Sequence, residues 1–350
     1  MKRKIEFIYW FAYYNFDSPS VRYRARYPLD YFGRKFNVGS YLVVPGYTLK
    51  EIAFFLRVYF SVLLFRRKNS LIVIQRVQSN FIYATLLKFL VRVRRQNTVY
   101  DLDDADYLEV DPETIFYFVK YCQLVSAGSR QIETYLSRFS NHIVHTTSPV
   151  VDLEIVKKSR NSIFTIGWIG GFGGEHKKSV IDFVFPAIKA LDFPLKLIVM
   201  GVQNSEDIDF IANYFCTNLN VEVEIQPNID WNDEAAIQHK IVAFDIGIAT
   251  LTNSELQLSK SGIKAKQYLN NGVPVLSTNL PENNSVVVDG VNGYFCTTIN
   301  DFRDKFILFR NMSDTDYLRF VENARKSVAN FDHNKYFHDF EKMISSNDRN

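Results

Sequence analysis

Along the whole chain, short runs rich in β-branched and aromatic residues alternate with longer stretches of helical period. That alternation is the pattern of parallel sheets joined by crossover helices. In the first half the runs fall near Ile5–Tyr9, Val38–Val44, Leu71–Gln75, Thr98–Leu102 and Ile143–Thr147. The stretches between them, Val21–Arg34, Leu49–Arg66, Asn80–Arg94 and Pro112–Ser126, read as helices, the first opened by the capping signal Ser18-Pro19-Ser20. A second series begins at Ile163, after the polar stretch Lys157–Asn161. Its strands are Phe164–Ile169, Leu195–Met200, Val221–Ile225, Asp245–Ala249 and Val273–Ser277. Helices Lys177–Leu191, Asp207–Phe215, Asp233–Val242 and Gly262–Asn271 separate them, and Asp301–Met312 and Asp314–Asn330 close the series. The expected fold class is α/β, with two doubly wound Rossmann-like domains, and a length of 350 residues agrees with two domains of ordinary size.

Composition removes several functions. The chain has 41 Lys and Arg against 38 Asp and Glu, a formal charge of +3, which is too small an excess for a protein that coats nucleic acid. Cys122, Cys216 and Cys296 are odd in number and widely spaced, which fits a reducing cytoplasm better than a disulfide framework or a zinc site. The basic start Met1–Lys4 runs directly into a strand-like segment, so no secretion signal is expected. Nor is any apolar run near the ~20 residues of a spanning helix.

In doubly wound sheets, ligands sit outside the carboxyl ends of the strands, so the residues after Ile169, Met200, Ile225, Ala249 and Ser277 matter most. After the first of these comes Gly170-Gly171-Phe172-Gly173-Gly174. Glycines there let backbone amides approach a phosphate lying over the next helix N-terminus. The first strand of the chain is followed instead by Trp10-Phe11-Ala12-Tyr13-Tyr14. A Gly-x-Gly-x-x-Gly fingerprint is therefore missing there, which disfavours a nicotinamide oxidoreductase. Further along, Lys260 and Lys264 are four residues apart. One helical turn would put both on one face at a helix start, where they would add to the macrodipole as a diphosphate site. Pro227 and Asn228, just after a strand, are the expected base pocket.

The stretch Asp245 to Ser277, with Ser259-Lys260-Ser261-Gly262-Ile263-Lys264, Gln267-Tyr268 and Gly272-Val273-Pro274-Val275, resembles retaining GT-B glycosyltransferases of glycosyltransferase family 4, in the branch from bacterial surface-polysaccharide clusters. Trp168-Ile169-Gly170 is similar to the opening of their second domain, and Asn283 with Asp289-Gly290-Val291-Asn292-Gly293-Tyr294 to its close. Ser18–Arg24, containing Arg22 and Arg24, and Val99–Asp104, containing Asp101, Asp103 and Asp104, look like the paired acceptor-side signatures of that branch. The resemblance implies two domains facing a central cleft. Residues 1–160 would bind the acceptor and 161–330 the nucleotide-sugar donor, with 331–350 packing back on the first domain. It also implies Gly170 and Gly171 at the phosphates or sugar, Gln267 at the ribose and Asn283 in the donor site. Transfer would be retaining and independent of metal, with no cofactor beyond the nucleotide-sugar substrate. The partners would be a saccharide or lipid-linked saccharide acceptor and no nucleic acid, at the cytoplasmic face of a membrane in surface-polysaccharide synthesis.

One departure stands out. The family's two glutamates, eight positions apart, are here Ser259 and Gln267. Gln267 can still hydrogen bond a ribose, whereas Ser259 supplies no carboxylate. A non-catalytic binder and a nucleotide-sugar epimerase therefore stay as alternatives. Asp101-Leu102-Asp103-Asp104 is not read as a metal-binding Asp-x-Asp, because the donor features lie in the other domain. His145, at a strand end, is the candidate base, although the leaving phosphate could take the acceptor proton itself. Leu49–Lys68 and Leu86–Arg95 join apolar, aromatic helices to basic ends. They read either as helices buried against a sheet or as segments lying on an anionic bilayer.

Overall fold

A computed structural model describes residues 4–79, 81–151 and 157–346. Asn80, expected to open a helix, the N-terminal Met1–Arg3 and residues 347–350 lie outside the described residues. The chain divides into two compact units. The described residues of Met1–Asp152, Ser259–Ser261 and Phe331–Asn350 form one, and those of Leu153–Leu258 and Gly262–Asn330 form the other.

The first unit is built on a six-stranded parallel sheet of β1 (Phe7–Ala12), β2 (Gly39–Val43), β3 (Ser70–Gln75), β4 (Thr98–Leu102), β5 (Leu124–Ala127) and β6 (Ile143–His145). Its order is β2-β1-β3-β4-β5-β6. β1, β3 and β4 are buried along their whole length, which is why they read as apolar runs rather than alternating ones. One core joins Trp10 of β1 to Phe32 of the helix Tyr27–Phe36 and to Tyr336, Phe337 and Phe340 of the last helix, His333–Ser346. Phe36 and Phe337 stack with centroids 4.4 Å apart.

The second unit carries β7 (Phe164–Ile169), β8 (Leu195–Met200), β9 (Val221–Gln226), β10 (Ile246–Ala249), β11 (Val275–Ser277) and β12 (Gly293–Phe295). They form a second parallel sheet in the order β12-β11-β10-β7-β8-β9. Its core runs from Ile166 and Trp168 to Phe185, Phe215 and the aromatic cluster Phe302, Phe306 and Phe309.

Three local readings change. The expected helix Pro112–Ser126 is a helix Glu113–Tyr121 followed by β5, because Cys122 turns to extended backbone, φ −65° and ψ 150°. The helices around Val21–Arg34 and Lys177–Leu191 each contain one widened π turn, Arg22–Arg26 and Val180–Val184. In both cases a proline, Pro28 or Pro186, stands two residues beyond the turn. A proline has no N–H to donate and its ring crowds the carbonyl four residues back, and the wider turn relieves both. β12 has only three residues, too few to register as a periodic run.

Candidate functional site

In the second sheet the connections run one way from β7 to β8 and β9, and the other way to β10, β11 and β12. The carboxyl ends of β7 and β10 therefore flank the point where the winding reverses, the place where doubly wound sheets hold ligands. Two helices begin there. One starts at Gly174 behind Gly173, and the other is Ile263–Asn270 behind Gly262, which sits at φ +65°. Neither start is capped by a side chain. Other helices of this unit are capped by side chains, those of Asn204, Asp233, Thr298 and Ser313 among them. The two glycine starts thus leave backbone N–H groups and the positive ends of two helix dipoles directed at the same strand ends.

Lys264 stands between them. Its Nζ is 4.7 Å from the centroid of the Trp168 ring and 3.4 Å from His176 Nδ1. Gly170, at φ +148°, is held by its N–H to the Met200 carbonyl at 3.0 Å. A Cβ there would lie 2.8 Å from Lys264 Cε and displace the lysine, and the positive φ is one that a residue with a side chain rarely adopts. A Cβ on Gly171, Gly173 or Gly174 would meet nothing within 4 Å, so the loop has an open side. Underneath, the hydroxyl of Tyr268 accepts the Ile169 N–H at 3.0 Å, and burial pushes that phenol well above its ordinary pKa. Glu175 Oε2 accepts Thr252 Oγ1 at 2.7 Å and also the Ser254 hydroxyl, tying the loop after β10 to the helix after β7. A lysine amine, two glycine-started helices and an open loop are elements from which an anion site can be built.

The first unit places its charges at the end of β4 and just after β4 and β3. Arg24 forks onto Asp101, Nε to Oδ2 at 2.8 Å with Nη2 on Oδ1, and its Nη1 donates to the Thr146 carbonyl at 2.7 Å. Ser126 Oγ donates to Asp101 Oδ1 at 2.6 Å. Both charged partners are fully buried. Arg76, in the left-handed region at φ +53°, gathers Asp106 (Nε to Oδ2, 2.8 Å) and Asp104 (3.0 Å), with Asp103 at 3.8 Å. Burial, with Asp104 and Asp103 adding to it against the opposing pull of Arg76, raises Asp106 to about 6. Asp103 is raised as well, chiefly by burial, and accepts the Ser20 hydroxyl.

No protein-family model matches the sequence, and no curated protein matches it. Solved structures do. The Anabaena protein HepE, determined in complex with UDP-glucose, aligns with a TM-score of 0.68 at 13% identity, covering 97% of this chain and 99% of that one. A glycosyltransferase from Rickettsia africae gives 0.71 at 10% identity, with 99% of each chain covered. This chain has the GT-B glycosyltransferase fold. Sucrose-phosphate synthase from Thermosynechococcus elongatus shares that GT-B architecture at a TM-score of 0.69 and 10% identity, over 98% of this chain and 99% of that one.

Within the GT-B fold the sequence-derived residues separate. Gly170 and Lys264 meet at the β7 end, Gly171 follows on the open side of the loop, and Gln267, three residues after Lys264, lies half-buried on the same helix. Lys260 does not share a turn with Lys264. The left-handed Gly262 intervenes, Ser259–Ser261 groups with the first unit, and Lys260 Nζ pairs with Asp104 Oδ1 at 2.8 Å. Asn283 is buried, its Nδ2 donating to the Thr278 carbonyl at 3.2 Å and its Oδ1 standing over Gly262, so it braces the site from beneath. Pro227 and Asn228 follow the edge strand β9. Arg22 is buried, its Nε donating to the Asp17 carbonyl at 3.1 Å. Arg24 and Asp101 are sealed in their ion pair. Asp104 is partly exposed beside Arg76, and His145 is half-buried at the end of the edge strand β6.

Two residues were not anticipated. Trp231 stands over the turn after β8, its Cζ2 2.8 Å from where a Cβ on Gly201 would be. An aromatic a few residues past a strand end is its only signature in the sequence. His176 reaches Lys264 from the first turn of the glycine-started helix. Among the described residues, no three His, Cys, Asp or Glu side chains cluster as a metal site.

Proposed function

We propose that the protein is a glycosyltransferase. Its second unit would bind a nucleotide sugar, and the sugar would pass with retention to a saccharide or lipid-linked saccharide without help from a metal. The observation that carries this reading is the pair of uncapped, glycine-started helices converging on Lys264 at the switch point of a GT-B sheet. That arrangement suits a nucleoside diphosphate both as a ligand and as a leaving group, because the charge that develops on the phosphate is met by groups already in place. In the reaction, the bond between the anomeric carbon and the phosphate oxygen breaks and the acceptor oxygen bonds to that carbon. The acceptor proton goes to the departing phosphate, so His145 is not needed as a base.

The roles follow from position. Lys264, Gly170, Gly171 and the N–H groups behind Gly173 and Gly262 take the diphosphate, Gln267 the ribose, and Pro227, Asn228 and Trp231 the base. Lys260, held by Asp104, is not assigned to the diphosphate. Arg24 and Asp101 act by positioning, and Asp103 and Asp104 lie closer to the surface on the acceptor side. The UDP-glucose bound by HepE makes a uridine nucleotide the first donor to try. The test is a thermal-shift panel of nucleoside diphosphates and nucleotide sugars, because a ligand that binds only the native state raises the melting temperature. A selective shift supports the reading, and silence across the panel counts against it. Ser259, which supplies no carboxylate, favours one other reading, a non-catalytic binder. Donor hydrolysis or transfer activity would exclude that alternative.

A further inference from the structure

The first unit carries a surface that the donor site does not use. The helix Leu49–Phe65 buries Phe55, Val58, Tyr59 and Val62 and turns its other side to solvent. That outer side is apolar. Leu49, Ile52, Leu56, Phe60 and Leu64 recur at three- and four-residue spacing, with Phe60 and Leu64 50% and 59% exposed and Phe65 at the helix end 78% exposed. The helix Phe81–Val93 repeats the arrangement with Phe81, Ile82, Phe89 and Val93 exposed. Scattered exposed apolar residues are ordinary, but whole stripes on two touching helices are not. The pair is cross-tied: Arg94 donates to the Leu63 carbonyl, and Arg66 Nη1 to that of Gln96 at 2.6 Å.

Charge marks what meets this face. From Tyr47 through Tyr100 the chain has ten Lys and Arg and a single acid, Glu51, although the whole protein carries only +3. Lys50, Arg57, Arg67, Lys68, Arg92 and Arg95 are exposed around the stripes. We infer that this face docks on an anionic lipid bilayer, with both helices lying in the interfacial plane. Apolar stripes flanked by cations match the acyl boundary and the charged headgroups of such a surface, whereas pairing with a second copy would press like charges together. No helix of the described residues is long and apolar enough to cross a membrane, so the contact lies on the bilayer rather than through it. The inference stands apart from the transferase reading; if both hold, the acceptor is drawn from the membrane.

The experiment is flotation of the full chain with vesicles of phosphatidylcholine alone, or of phosphatidylcholine mixed equally with phosphatidylglycerol. The expected result is flotation with the mixed vesicles only, weakened by salt. It should be lost in a Phe60→Asp, Leu64→Asp, Phe89→Asp variant whose circular dichroism and nucleotide-induced thermal shift match the parent. Because that variant could misfold, Lys50→Gln, Arg57→Gln and Lys68→Gln serve as a second test, each expected to weaken vesicle binding about fivefold. Three results would overturn the inference: no flotation with either vesicle, binding unaffected by both sets of changes, or light scattering showing a dimer that the aspartate variant abolishes.

Discussion

Lys260 and Lys264 are one helical turn apart on paper, yet one is paired with Asp104 and the other stands over Trp168 beside Gly170. Replacing Lys264 with Ala is expected to weaken nucleoside diphosphate binding about 10- to 100-fold, the worth of one charge-assisted hydrogen bond. Melting should change little, since this lysine is only half-buried. Arg24→Ala should do the opposite. It strands the buried Asp101 carboxylate and is expected to cost about 3 to 5 kcal/mol of stability, read by denaturant unfolding. Asp106 adds a pH signature. Its pKa of about 6 lies above the ordinary aspartate value of 3.8, so the folded state holds its proton more tightly than the unfolded state. This residue's contribution to stability is therefore fully present below pH ~4 and is lost as pH rises through about 6. The difference in unfolding free energy between the parent and Asp106→Asn should shift in that direction across the window. A difference that is flat with pH would remove the raised pKa.

Among the elements, the two helix starts without side-chain caps define the candidate site. Gly173 has extended backbone and open space at its Cβ position, so Gly173→Asp should cap the following helix without strain. The prediction is an equal or slightly higher melting temperature together with loss of nucleotide binding, because a carboxylate would occupy the anion's place. A variant that still bound nucleotide would put the diphosphate elsewhere. These elements also show what could be read in advance. β4, β7 and β8 match their expected bounds because strands buried over nearly all of their length read as short segments rich in β-branched, aromatic and other apolar residues. β5 was hidden because its four residues continue the apolar run of the preceding helix, and periodicity cannot separate the two. The glycine cluster of the candidate site was legible because four glycines within five positions at a strand end stand out in the sequence. The segments holding Arg24 and Asp101 read as paired signatures, but the ion pair itself was not legible, since its members lie 77 residues apart and only the tertiary fold brings them together. Nor was the role of Lys260, which turns on the left-handed Gly262.

For the whole molecule, the two units have separate cores, one closed by the last helix and the other by the Phe302–Phe309 cluster. A ligand held by the second unit should stabilise that unit first. Calorimetry with a saturating nucleoside diphosphate is expected to raise one unfolding transition more than the other, whereas equal shifts would mean that the units unfold as one. We propose the switch point of the second sheet as a nucleoside diphosphate site built around Lys264. The decisive experiment is isothermal titration of UDP and GDP into the full chain and into its Lys264→Ala variant. Saturable one-to-one binding of at least one of them is expected, weakened at least tenfold in the variant. Equal affinity in both proteins, or no binding of either nucleotide, would contradict it.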